Sequence, residues 1–221
     1  MGGVAPIVYK TASAQAVFDG NSLVFGYGSS GGQTLPVQLA AMAPISGGLV
    51  ITNPAVGGQT INAMRARGPE FVDALYDPAK SNVLLIWEGT NSICNTPART
   101  GMEAIADLTA YIAERRAANP GWKIVVLTTI PRYYMQGTTV QNGNAQLLIF
   151  NNYLLSNYRE IGADAVVDVR QNAVFVYPTG ATNMPSYMTP YSSDGHTHLN
   201  NAGLGLVAVM VAPALRRLPK R

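Results

Sequence analysis

The chain has 221 residues, 48% hydrophobic and 12% charged, enough for one substantial core and unlike a disordered chain. Its net charge is +3, but the basic residues are scattered apart from a tail over residues 216–221, and no aromatic–basic interleaving suits nucleic acid. A single cysteine, Cys94, excludes an internal disulfide; the longest apolar stretch, residues 204–215, is too short to span a bilayer, and residues 1–6 show no signal peptide.

An apolar run over residues 16–18 predicts a buried strand, which breaks at Gly20-Asn21-Ser22 and leads to a helix over 33–42. Further strands are expected over 49–52, 83–87, 124–129 and 165–169. Helices are expected over 60–66, 101–119, 145–161 and 200–215. The helix ending at Asn119 is stopped by Pro120-Gly121, and its apolar positions Ile105, Leu108, Ile112 and Ala113 recur at helical spacing. Strands that are apolar throughout, separated by helices, predict a mainly parallel sheet covered on both faces. No repeat or linker divides the chain, so a single α/β domain over residues 1–221 is expected.

Ligands of open α/β sheets bind beyond the carboxyl ends of the strands. The polar stretches just after the apolar runs are therefore the candidates: Gly20-Asn21-Ser22, Asn53 to Thr60, and Glu88-Gly89-Thr90-Asn91-Ser92. A fourth, Asp194-Gly195-His196-Thr197-His198, follows a polar, Pro-rich loop over residues 177–193. A serine at the end of a strand can act as a nucleophile if a histidine takes its proton and a carboxylate orients that histidine. The chain has only two histidines, His196 and His198, and both share a five-residue window with Asp194. As a metal site the same window is thin, with no further ligand to complete a shell, so no metal is expected. Gly26-Tyr27-Gly28-Ser29-Ser30-Gly31 also fits a dinucleotide pattern, but the second strand ends at Asn53 with no acid for a ribose. No cofactor is expected.

Together these stretches resemble the SGNH (GDSL-type) hydrolase family over most of the chain. Gly20-Asn21-Ser22-Leu23 is similar to its first block and Val56-Gly57-Gly58-Gln59-Thr60 to its second. Gly89-Thr90-Asn91 is similar to its third, and Asp194 with His198-Leu199-Asn200-Asn201-Ala202-Gly203 to its last. The resemblance implies a three-layer, flavodoxin-like fold with a five-stranded, mainly parallel sheet. It also implies Ser22 as nucleophile, His198 as base and Asp194 as the orienting acid. The backbone N–H groups of Ser22 and Gly58 and the side chain of Asn91 would form the oxyanion hole. Three departures stand out: Asn21 replaces an Asp, Ser92 follows Asn91 where Asp is frequent, and Asp194 precedes His198 by four residues rather than three. The Leu-Asn-x-x-Gly continuation selects His198, while His196 stays open as the other base.

The expected substrate is a small-molecule or polysaccharide ester carrying a small acyl group, acetyl on a carbohydrate being favoured. His196, Asn21 and Tyr191 are candidate substrate contacts, and the Tyr- and Met-rich loop over 177–193 is a candidate cleft wall. A catalytically inactive binding module of the same fold is the alternative. Oligomeric state and compartment are left open, an extracellular or virion-associated place being open if the chain is part of a longer one.

Overall fold

Five strands form one sheet in the order β2-β1-β3-β4-β5, every neighbouring pair parallel. They are β1 (Ala14–Gly20), β2 (Leu49–Thr52), β3 (Ser81–Trp87), β4 (Lys123–Leu127) and β5 (Ala165–Val167). A computed structural model describes residues 14–42, 48–178 and 180–217; the N-terminal stretch 1–6 and the last four residues of the basic tail lie outside them. The expected α/β architecture is present, and its strand order is that of the flavodoxin-like doubly wound sheet.

Period-two alternation explains why the middle strands are apolar throughout. Phe18, Leu85, Val125 and Leu127 point to one face, where Leu35, Leu39, Leu204, Val207 and Val211 cover them. Val17, Leu84, Ile86, Ile124 and Val126 point to the other, against Met64, Leu108, Ile112, Leu147 and Phe150. Helices α2 (Leu35–Ala40) and α7 (Asn201–Arg217) supply the first layer. Helices α3 (Ile61–Phe71), α5 (Gly101–Ala118) and α6 (Val140–Asn157) supply the second. Two short helices, α1 (Ser22–Phe25) and α4 (Thr90–Cys94), are too brief for periodicity to reveal and sit directly after β1 and β3. No helix among the described residues is long and apolar enough to cross a membrane.

Several boundaries differ from expectation for local reasons. α6 begins five residues before the expected 145, because Thr139 caps it by accepting from Asn142 N–H, and its first turn is polar. α3 runs past the expected 66 and through the exposed Pro69, with Gly68 buried against Arg115 of α5. The expected strand over 124–129 ends at Leu127; beyond it, Asn151 of α6 accepts from the N–H of Thr129 and donates to its carbonyl. That side chain takes the place of a further strand partner.

Candidate active site

Three loops at the carboxyl ends of β1, β2 and β3 meet the stretch that leads into α7. Ser22 is the first residue of α1, and Asn21 caps that helix through Leu23 N–H at 2.8 Å. Ser22 is nearly buried, and its Oγ lies 2.9 Å from His198 Nε2. On the far side of the imidazole, Nδ1 stands 2.6 Å from Asp194 Oδ2. A carboxylate only accepts, so Nδ1 carries the proton and Nε2 of the neutral ring faces the serine as an acceptor. The four-residue spacing between Asp194 and His198 thus still brings both groups into line.

The Asp194 loop is built around one oxygen. Oδ1 accepts backbone N–H bonds from His196 at 3.0 Å, Thr197 at 2.8 Å and His198 at 3.1 Å. Burial works against the charged form, but these three donors and the His198 imidazole outweigh it and hold the carboxyl well below the usual carboxylate range. Ser193 N–H donates to His198 O and Asn200 N–H to Tyr191 O, closing the hairpin-like turn that carries the imidazole. Gly28, one of the glycines of the dinucleotide-like pattern, packs here: a Cβ on it would stand 2.3 Å from Ser193 Oγ and 2.8 Å from Leu199 O. The pattern serves loop contact.

Asn91 lies in α4 with its amide held at both ends. Nδ2 donates to Gln59 O at 3.0 Å, and Oδ1 accepts from Arg132 Nη1 at 3.0 Å. The loop after β2 runs alongside the nucleophile, since a Cβ on Gly57 would stand 4.0 Å from Ser22 Cβ. Gly58 follows with a φ of +80°. Gln59 ties this loop down, donating to Gly20 O and to Asp19 Oδ1. Asp19 is itself buried and also accepts from Tyr111 Oη at 2.6 Å and Arg67 Nη2 at 2.7 Å. Burial raises its pKa despite those partners.

Three supporting residues were not singled out from the sequence. Glu88 is wholly buried after β3 and accepts from Asn21 Nδ2 at 2.6 Å, Asn91 N–H at 3.2 Å, and Ser92 N–H and Oγ at 2.9 Å each. Desolvation raises its pKa, while those hydrogen bonds pull the other way. It joins the first and third loops, and its signal was an acid directly after an apolar strand. Arg132 and the Gln59 carbonyl had no sequence signal, because each matters only through Asn91. Ser92, which stands where Asp is frequent, supports its loop by accepting from Ile61 N–H at 3.0 Å as well as donating to Glu88.

The candidate substrate contacts separate. Asn21 is buried and both ends of its amide are engaged, so its side chain belongs to the loop and is not offered to a ligand. Tyr191 meets the site through its backbone carbonyl, and no described hydrogen bond or ring contact joins its ring to Ser22 or His198. His196 is 43% exposed, its Nδ1 3.4 Å from Asp194 Oδ2, and no described bond links it to Ser22. In the 177–193 loop, Tyr177 is half-buried, its hydroxyl bonded to Thr129 and Asn151 and its ring packed on the core, so it serves packing rather than the cleft. The exposed rings nearest the histidines are others. Tyr27, 61% exposed, packs on His198 at 4.5 Å between centroids, and Tyr134 stands 5.3 Å from His196. Among the described residues no group of three or more His, Cys, Asp or Glu is arranged to hold a metal ion.

The sequence matches the GDSL-like lipase/acylhydrolase family over residues 18–205. The chain belongs to that family. As a GDSL-type hydrolase it also shares its fold with solved structures at low identity. A member of the lipolytic G-D-S-L family from Veillonella parvula is 18% identical, with a TM-score of 0.68 over 93% of this chain and 100% of that one. A carbohydrate esterase of family 3 from Talaromyces cellulolyticus is 17% identical, with a TM-score of 0.67 over 93% and 97%. An acetyl xylan esterase is 15% identical, with a TM-score of 0.68 over 91% and 99%. No curated protein sequence matches this chain.

Proposed function

We propose that this GDSL-type hydrolase is a single-domain serine esterase that removes a small acyl group, acetyl above all, from a carbohydrate. The observation that carries the reading is the unbroken line from Asp194 through His198 to Ser22, at 2.6 and 2.9 Å. Ser22 Oγ attacks the ester carbonyl as His198 Nε2 takes its proton, and Asp194 stabilises the imidazolium and fixes its tautomer. Negative charge then develops on the carbonyl oxygen. The backbone N–H of Ser22, at the start of α1 and so without a helical acceptor, is one donor to it. Gly58 N–H and the second Nδ2–H of Asn91 are the others. His198 returns its proton to the leaving alkoxide, and the acyl-serine is hydrolysed when the same imidazole activates water.

The substrate class rests on the rim. Exposed Tyr27 and Tyr134 beside the two histidines offer flat faces suited to sugar rings. Two structural neighbours, a carbohydrate esterase and an acetyl xylan esterase, act on that class. A serine-directed fluorophosphonate followed by peptide mass spectrometry tests the nucleophile: the adduct is expected on Ser22 alone, and an unlabelled protein would favour a binding module. Acetate release from acetylated xylan oligosaccharides, set against release from short-chain aryl esters, tests the acyl acceptor.

A further inference from the structure

The loop after β4 carries a guanidinium that the triad chemistry does not use. Arg132 is only 6% exposed, and its Nη1 donates to Asn91 Oδ1 at 3.0 Å. Among the described ion pairs none includes it, and its Nε is buried without a hydrogen-bond partner. A buried cation lacking an acid is costly to keep, so its position calls for a reason. The backbone there is fixed from both sides: Asn144 of α6 accepts from Arg132 N–H at 3.0 Å and donates to Arg132 O at 2.9 Å. The next residue, Tyr133, donates its N–H to His196 O at 2.8 Å.

We propose that Arg132 is a positioning residue that sets the orientation of the Asn91 amide and strengthens it as an oxyanion donor. The inference rests on the reading of Asn91 as such a donor. A carboxamide turned by 180° keeps its shape but exchanges oxygen for NH₂. A guanidinium has donors only, so it accepts one of the two orientations and repels the other. With Oδ1 turned to Arg132, Nδ2 faces the opposite way; one of its hydrogens goes to Gln59 O and the second is left for the oxyanion. The guanidinium charge beside that oxygen also polarises the amide, making the N–H a better donor where both side chains are buried. The charge that offsets Arg132 would then be the one that forms on the substrate. Because it forms only in the transition state, Arg132 should act on kcat rather than KM.

A double-mutant cycle on p-nitrophenyl acetate hydrolysis tests this, using Asn91→Ala, Arg132→Met, the double variant, and Arg132→Lys as the conservative change. Arg132→Met is expected to lower kcat by roughly 10–100-fold, somewhat less than loss of a whole donor, with KM within about twofold. Arg132→Lys should recover most of it, and Arg132→Met should cost less than about threefold in the Asn91→Ala background. An equal loss in both backgrounds, or a raised KM with kcat intact, overturns the proposal. The ¹⁵N–¹H signals of the Asn91 side-chain amide give a second readout that needs no turnover. They should shift or broaden in Arg132→Met and return in Arg132→Lys, and signals unchanged in Arg132→Met would also overturn it. If the parent activity proves independent of Ser22, the proposed function fails, and the amide signals still judge Arg132 alone.

Discussion

At Asp194 the two carboxylate oxygens are divided, Oδ1 binding the backbone of its own loop and Oδ2 facing His198. Replacing it by Asn should therefore do two things. Activity should fall by roughly 10⁴ in kcat, because an amide can present its NH₂ to Nδ1 and stabilise the wrong tautomer. Stability should fall in a pH-dependent way. The carboxyl is held low in the folded protein, so its contribution is full above the unfolded carboxyl value and is lost as pH falls through the folded one. The Tm gap between the parent and Asp194→Asn should be widest near neutral pH and narrow below about pH 4, measured by calorimetry. A constant gap would mean that the charge is not what the loop needs. Cys94 makes the opposite case of an inert group: burial pushes its thiol up to about 12. Thiol reagents at mildly alkaline pH should leave it unmodified until the protein is denatured, and rapid labelling of the native state would contradict this.

Helix α3 meets α5 across Gly68, where a Cβ would stand 1.7 Å from Arg115 Nη1. Arg115 is buried and pairs with Asp73 at 3.1 Å, so it has little room to withdraw. Gly68→Ala should cost about 1–3 kcal/mol despite the better helix propensity of Ala, read as a lower midpoint of urea unfolding. Thr100→Ala should cost about 1 kcal/mol, since Thr100 and Glu103 form a reciprocal cap on α5. The elements themselves were largely legible. The strands declare themselves as apolar runs, and α5 by its apolar spacing and its Pro-Gly stop. What was hidden were the polar first turn of α6, capped locally by Thr139, and the passage of α3 through Gly68-Pro69, where Gly68 meets Arg115 of α5. No periodicity carries those.

Across the whole molecule the strand order brings residues far apart in the chain to one sheet edge, so that Ser22 and His198 meet across 176 positions. The motif-bearing members were readable because the first three stretches fall just after apolar runs, both histidines share the fourth with Asp194, and the four keep their family order. Arg132 was not, since a lone Arg has no pattern, and Glu88 and Gln59 lay inside candidate stretches without a role; only their contacts with Asn21 and Asn91 give each a task. Asn21 shows the same limit. Its departure from Asp marks the position, but only the fold reveals that the Asn21 amide donates to the buried carboxyl of Glu88. The central claim is that this edge is a serine esterase site. The most direct test is the rate of p-nitrophenyl acetate hydrolysis by the parent protein against Ser22→Ala. Turnover by the parent and none above buffer by the variant is the predicted result, whereas equal activity in the two would show that the chemistry lies elsewhere.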